Sequence, residues 1–239
     1  MSKQLQKWLG ITGLIFLVLV AVSVLILPGA PNTNASLTKL SSFYTHSKAG
    51  LLHIDAIITG ISVLVGVFWF WYFRDWLIAT NAAARRLGTV AFAGALLFAA
   101  GGCLAGGMFT ALGDASDNHA TTAGTLQVLN NLSSDLGNTI TGAGLAIFLV
   151  AMSVLILRYR VLPVWMAYWG ILGAVAGLVI GFFAMIGFAI WLIAACVVIL
   201  MRASHAPAVP DTAYPALTDP PATLLPDPSA PVTDPRTNI

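Results

Sequence analysis

The chain has 239 residues, of which 58% are hydrophobic and only 8% charged, where an ordinary soluble domain carries about 25% charged. All nine acidic residues are Asp, and the formal net charge of +2 comes without a basic cluster, which excludes a nucleic-acid-binding surface. So few charges cannot cover a water-facing surface of this size, and the long apolar runs lack period-2 alternation, so a transmembrane β-barrel is excluded and helices in lipid remain.

A hydrocarbon core needs about 17 to 25 residues of helix. The first qualifying stretch covers about 8–27 and stops at Pro28-Gly29. Lys3 and Lys7 precede it as in a secretory signal, but it is too apolar for too long and no small-residue cleavage site follows promptly, so a retained helix is expected. The second stretch covers about 50–73, the Gly- and Ala-rich third about 87–112, and the fourth about 136–157. After Pro163 an apolar tract continues to Met201, long enough for two crossings, about 164–181 and 183–201, joined near Gly181-Phe182-Phe183; a re-entrant pair is the alternative. Residues 1–202 therefore predict an all-α polytopic bundle of six transmembrane helices. Residues 203–239 hold nine of the twelve prolines, with near-repeats such as Thr218-Asp219-Pro220 and Thr233-Asp234-Pro235. Proline at that density blocks helix and central strand, so a disordered tail, partly polyproline II, is expected.

Lys and Arg collect in cytoplasmic loops. An inside N-terminus puts Lys3, Lys7, Arg74, Arg85, Arg86, Arg158, Arg160 and Arg202 on the inner side and leaves only Lys39 and Lys48 outside, with Asp114, Asp117 and Asp135. The aromatic residues Trp8, Trp69, Trp71, Tyr72, Trp76, Tyr159, Trp165 and Trp169 fall at the same predicted interface, as an aromatic belt does. The expected location is a bacterial inner (plasma) membrane, with both termini cytoplasmic and the lipid bilayer as first partner.

Helix association in lipid relies on small residues that let backbones approach. Gly102 and Gly106 form a G-x-x-x-G pair in the third span, and Gly173, Gly177 and Gly181 repeat that spacing in the fifth; these faces are expected to pack inside the bundle. Cys103 and Cys196 sit singly in apolar runs and have no metal-ligand or disulfide spacing. No phosphate-binding loop, zinc-protease helix, nucleophile elbow or C-x-x-C pair occurs, and no metal or other cofactor is implied. Asn34-Ala35-Ser36 and Asn131-Leu132-Ser133 match the glycosylation pattern in predicted outer loops.

Ionisable groups inside a span are costly and raise a functional question. His53 and Asp55 lie near the outer end of the second span, and Asp55, Thr59 and Ser62 follow the i, i+4, i+7 pattern of one helix face, which Gly66 continues. The third span ends outward with Thr110 and Asp114; the fourth begins with Asp135, Asn138, Thr139 and Thr141. Should these ends converge, His53, Asp55, Thr59, Asp114, Asp135 and Asn138 form a small acidic vestibule able to attract a cation or a polar ligand. Solvated helix ends account for the same residues, with Asp135 favoured as a cap at a helix N-terminus.

Leu162-Pro163-Val164-Trp165, Trp169-Gly170 and Gly173 before a glycine-rich span, after an inner loop bearing Arg158 and Arg160 and with Trp191 mid-span in the last helix, resemble small six-helix bacterial integral membrane proteins of unknown function. The resemblance implies the six-helix layout over about 8–202 and no mechanism. Two functional classes follow from the residues: a non-catalytic auxiliary or assembly component bound to a membrane-protein partner or to a second copy of itself, and a small transporter or channel for a cation or polar solute built on the polar cluster. An enzyme is not expected.

Overall fold

The computed structural model describes residues 3–26, 31, 35–44, 46–117, 122–179 and 181–205, and for residues 46–49, 116–117, 123, 177–179 and 181–184 the backbone alone. Seven α-helices account for them: α1 (Lys3–Ile26), α2 (Leu37–Phe43), α3 (His46–Thr80), α4 (Arg85–Asp117), α5 (Ala123–Tyr159), α6 (Trp165–Val179) and α7 (Gly181–His205), with a 3₁₀ turn at Ala82–Ala84. The chain divides into Met1–His205 and Ala206–Ile239; the expected Pro-rich tail lies outside the described residues.

Five helices are long and apolar enough to cross a membrane, Lys3–Ile26, Gly50–Thr80, Ala82–Ala115, Gly124–Tyr159 and Met185–His205. Their outward faces carry Val18, Leu25, Ile57, Leu64, Phe68 and Val150, all exposed, as lipid requires and water would penalise. The expected fifth span is α6, whose 15 residues reach about 22 Å at 1.5 Å per residue, short of a core about 30 Å thick. The long apolar tract is divided unequally, 15 residues to α6 and 25 to α7.

Helix α1 packs on α3 and α7, α3 on α4, α4 on α5, and α5 on α6, closing a ring. Contacts across it bring the cationic helix ends together. The Trp69 indole donates to the Leu9 carbonyl at 2.8 Å, Arg74 reaches Thr89 at 3.4 Å, and Arg202 donates to the Val161 carbonyl at 2.6 Å while lying over the Trp76 ring. The last bond ties α7 to the loop after α5, where Arg160 takes the left-handed conformation as C-cap. This half of the bundle is filled by rings: Trp69 stacks on Phe73 and Phe73 on Trp76, while Phe148 meets Trp191 edge-on at 5.3 Å. Of the aromatic residues expected at one membrane interface, Trp69 and Trp76 are buried between helices, while Trp8, Trp71, Tyr72, Trp165 and Trp169 are exposed. Aromatic content alone does not say which face of α3 turns inward.

The backbones of α4 and α5 approach each other closely at their glycines. A Cβ at Gly94 would come 2.6 Å from the Phe148 nitrogen, one at Gly101 would strike Thr141, one at Gly137 would meet the Ala105 Cβ at 2.9 Å, and one at Gly144 would strike the Phe98 nitrogen. Gly94 and Gly101, like Gly137 and Gly144, are seven apart, the period that keeps a seam facing its partner along paired helices. The expected G-x-x-x-G face is corrected here: a Cβ at Gly102 meets nothing within 4 Å, and one at Gly106 makes only ordinary contact with Thr59. Gly173 is buried against Leu149 of α5. The surroundings of Gly177 and Gly181 lie outside the described residues.

At the opposite end, α5 begins at Ala123, well before the expected start near 136, with Thr122 as N-cap. Its added turns receive α2, capped by Ser36. Leu40, Phe43 and Tyr44 pack with Leu52, Leu112 and Leu126 as a second, smaller core, and the Tyr44 hydroxyl donates to Asn130 Oδ1 at 3.0 Å across 86 residues of chain. Burial pushes the Tyr44 phenol well above the ordinary tyrosine range. Asp135 is therefore no N-terminal cap: it lies exposed several turns into α5. Ser133 is buried inside the same helix, so Asn131-Leu132-Ser133 is not the exposed loop expected of a glycosylation site; Asn34 lies outside the described residues.

Candidate functional site

Between the two cores the ring of helices leaves a cavity of about 530 Å³. Its floor includes Phe16 and Phe98, whose rings contact Phe70 and Phe188 of the aromatic half. At the other end Phe109 lines it and also packs on the small core beneath α2. The wall on the α4–α5 side is thin because Gly102, Gly106, Gly137 and Gly142 present no side chains.

One face of α3 supplies the polar wall. Asp55, Thr59 and Ser62 all line the cavity, and Gly66, the next position of the stripe, lets the Phe16 ring approach to 2.8 Å of where a Cβ would stand. Asp55 is 8% exposed. Ser23 of α1 donates to Asp55 Oδ1 at 2.5 Å and lies 3.0 Å from the Thr59 hydroxyl. A serine hydroxyl has one proton; with it given to Asp55, the Thr59 hydroxyl donates to Ser23. The relay runs Thr59 to Ser23 to Asp55 and occupies one carboxylate oxygen. Among the described residues Oδ2 has no hydrogen-bond partner, and neither Lys, Arg nor His lines the cavity. The Ser62 hydroxyl is used within its own helix, donating to the Ile58 carbonyl at 2.7 Å.

The six residues expected to converge divide into two groups. Asp55, Thr59 and Asn138 line the cavity, with Asn138 exposed at its rim and donating to Ser134 at 3.3 Å. His53 and Asp114 do not line it: His53 Nε2 and Asp114 Oδ1 approach to 3.6 Å on the outside, with side chains 54% and 55% exposed, an ion pair only when His53 is protonated. Asp135 is exposed and is not among the residues that line this cavity. The physical reason is helical phase. His53 is two positions from Asp55, so it leaves α3 on another face. Sequence reasoning missed Ser23 as a site residue, although it is the sole hydroxyl in the second half of α1. Thr141, named with the polar start of the fourth span but left out of the six candidates, also lines the cavity.

No family model matches the chain, and no curated protein or solved structure matches it either.

Proposed function

We propose that this is a multi-pass protein of a bacterial plasma membrane, with six membrane-inserted apolar segments and cytoplasmic termini, that binds and moves a cation or polar solute at Asp55. One observation carries the reading: a carboxylate nine-tenths buried at membrane depth, held by a two-hydroxyl relay and without a basic partner among the described residues, faces an open cavity. A charged group is costly in that setting, and a structural role is normally accompanied by a countercharge or full hydrogen bonding. Asp55 has a ligand-sized space instead. The concentration of Lys and Arg at one end of the bundle supports the orientation, and the unbroken apolar tract from Val164 to Met201, long enough for two crossings, supports the inclusion of α6 among the membrane segments.

This reading is preferred to that of an auxiliary subunit because Gly102 and Gly106, expected to offer a packing face, border the cavity instead. The test is flux in liposomes holding the full chain. Proton, sodium and polar-solute movement should exceed that of empty liposomes for at least one species and fall to background with Asp55→Asn, which keeps the side-chain shape. Wild-type and Asp55→Asn liposomes that behave alike for every species, together with a stoichiometric protein partner retained on purification, would overturn it in favour of the auxiliary subunit.

A further inference from the structure

We infer that the ligand of this cavity is a lipophilic organic cation, a quaternary or protonated amine on an aromatic or branched hydrocarbon body, with Asp55 Oδ2 as its counter-ion. The inference rests on the proposed function of the same site and specifies its substrate class.

Size is the first argument. A cavity of about 530 Å³ falls within the range of about 300–1,000 Å³ that holds drug-sized molecules, whereas one water accounts for about 30 Å³. A bare metal cation in that space would touch one wall only.

Donor chemistry is the second. Hard cations need a shell of oxygens, six to eight for calcium and near-octahedral six for magnesium. The Ser23, Thr59 and Ser62 oxygens keep lone pairs to offer beside the Asp55 carboxylate, but Ser62 stands seven residues from Asp55 on α3, about 10 Å at 1.5 Å per residue. Only Asp55, Ser23 and Thr59 of this wall therefore meet at one point, fewer oxygens than such a shell needs. An onium head asks for less. It is stabilised by one carboxylate oxygen and by the faces of rings.

The third is the rest of the surface. Phe16, Phe98 and Phe109 line the floor and the far end, and Val20, Leu145 and Met185 line the space between. They would bury a hydrocarbon body and leave the hydroxyls of a sugar-like solute unsatisfied. With Asp55 the only charged residue among the described residues that line the cavity, the complementary ligand is positive and largely apolar.

The test uses the full chain in nanodiscs and three probes: benzyltrimethylammonium, tetramethylammonium as the head alone, and sodium. Benzyltrimethylammonium should bind by calorimetry and raise the unfolding midpoint. Tetramethylammonium should bind more weakly for want of a body, and Asp55→Asn should weaken benzyltrimethylammonium at least about tenfold. Gly102→Leu, which projects into the open space, guards against an Asp55 variant that fails to fold; it should keep the midpoint and lose the binding. Benzyltrimethylammonium that fails to bind, or that binds wild type and Asp55→Asn equally, overturns the inference. Should sodium alone shift the midpoint in an Asp55-dependent way, the substrate class falls and the site stands. Should no probe distinguish wild type from Asp55→Asn and the liposomes show no Asp55-dependent flux, both fall together.

Discussion

The two halves of this bundle are built from the same few residue types and solve opposite problems. Toward the arginine-bearing end, Trp69, Phe70, Phe73, Phe148 and Trp191 fill the space between helices with rings, and indole N–H groups donate to carbonyls of neighbouring segments. Toward the α2 end the helices stand around a cavity faced by the hydroxyls of Ser23, Thr59, Ser62 and Thr141, the Asp55 carboxylate, the Asn138 amide, and aliphatic and aromatic side chains such as Val20, Leu145 and Phe109. Lipid gives no hydrophobic drive to helix association, so the filled half must hold the ring together by dispersion contacts and hydrogen bonds. That is what allows the other half to stay open. Gly101 and Gly102 show the contrast at one peptide bond: the first is pressed against Thr141 of α5, and the second has no atom in front of it.

The comparison can be broken most severely at the α4–α5 seam. Gly144→Leu drives a side chain into the backbone of Phe98, which cannot swing aside. A loss of about 3 kcal/mol or more is expected, seen as little monodisperse protein on size exclusion in mild detergent. Trp191→Ala empties the aromatic half and removes the bond to the Met166 carbonyl. The expected cost is about 3 kcal/mol, the low end for such truncations because the transfer term is missing in lipid, read as a lowered unfolding midpoint.

A smaller effect is expected where α2 meets α5. Tyr44→Phe removes one buried hydrogen bond, worth about 1 kcal/mol, and should raise hydrogen exchange in α2 while leaving the bundle intact. The same contact should be alkali-sensitive. The folded-state value of Tyr44 lies above the unfolded one, so its contribution is complete below the ordinary tyrosine value of about 10 and is lost as pH rises beyond it. Protection of α2 should therefore fall above about pH 10 in wild type, and Tyr44→Phe should show no such step.

How much of this was legible in the chain depends on whether a signal was periodic. The Asp55-Thr59-Ser62 face could be read because polar residues at i, i+4 and i+7 stand out in an apolar helix. Ser23 could not, because a lone serine in a membrane helix usually returns its hydroxyl to its own backbone, as Thr12 does to Trp8. The seam glycines escaped a search for four-residue spacing because they repeat every seven. The early turns of α5 read as a loop because Asn130, Asn131 and Ser133 are polar; Tyr44, contributed from a distant segment, is what satisfies Asn130. His53, Asp114 and Asp135 were grouped with Asp55 by depth alone, and depth does not specify the angle around a helix.

The most direct test of the division between a filled half and an open one is the unfolding midpoint of Gly102→Leu in nanodiscs, measured with and without benzyltrimethylammonium. Without ligand it should match or slightly exceed wild type, since leucine suits a helix better than glycine by just under 1 kcal/mol, and the ligand should no longer move it. A midpoint well below wild type would mean that the space before Gly102 is needed for packing, and an undiminished response to the ligand would mean that the cation binds elsewhere.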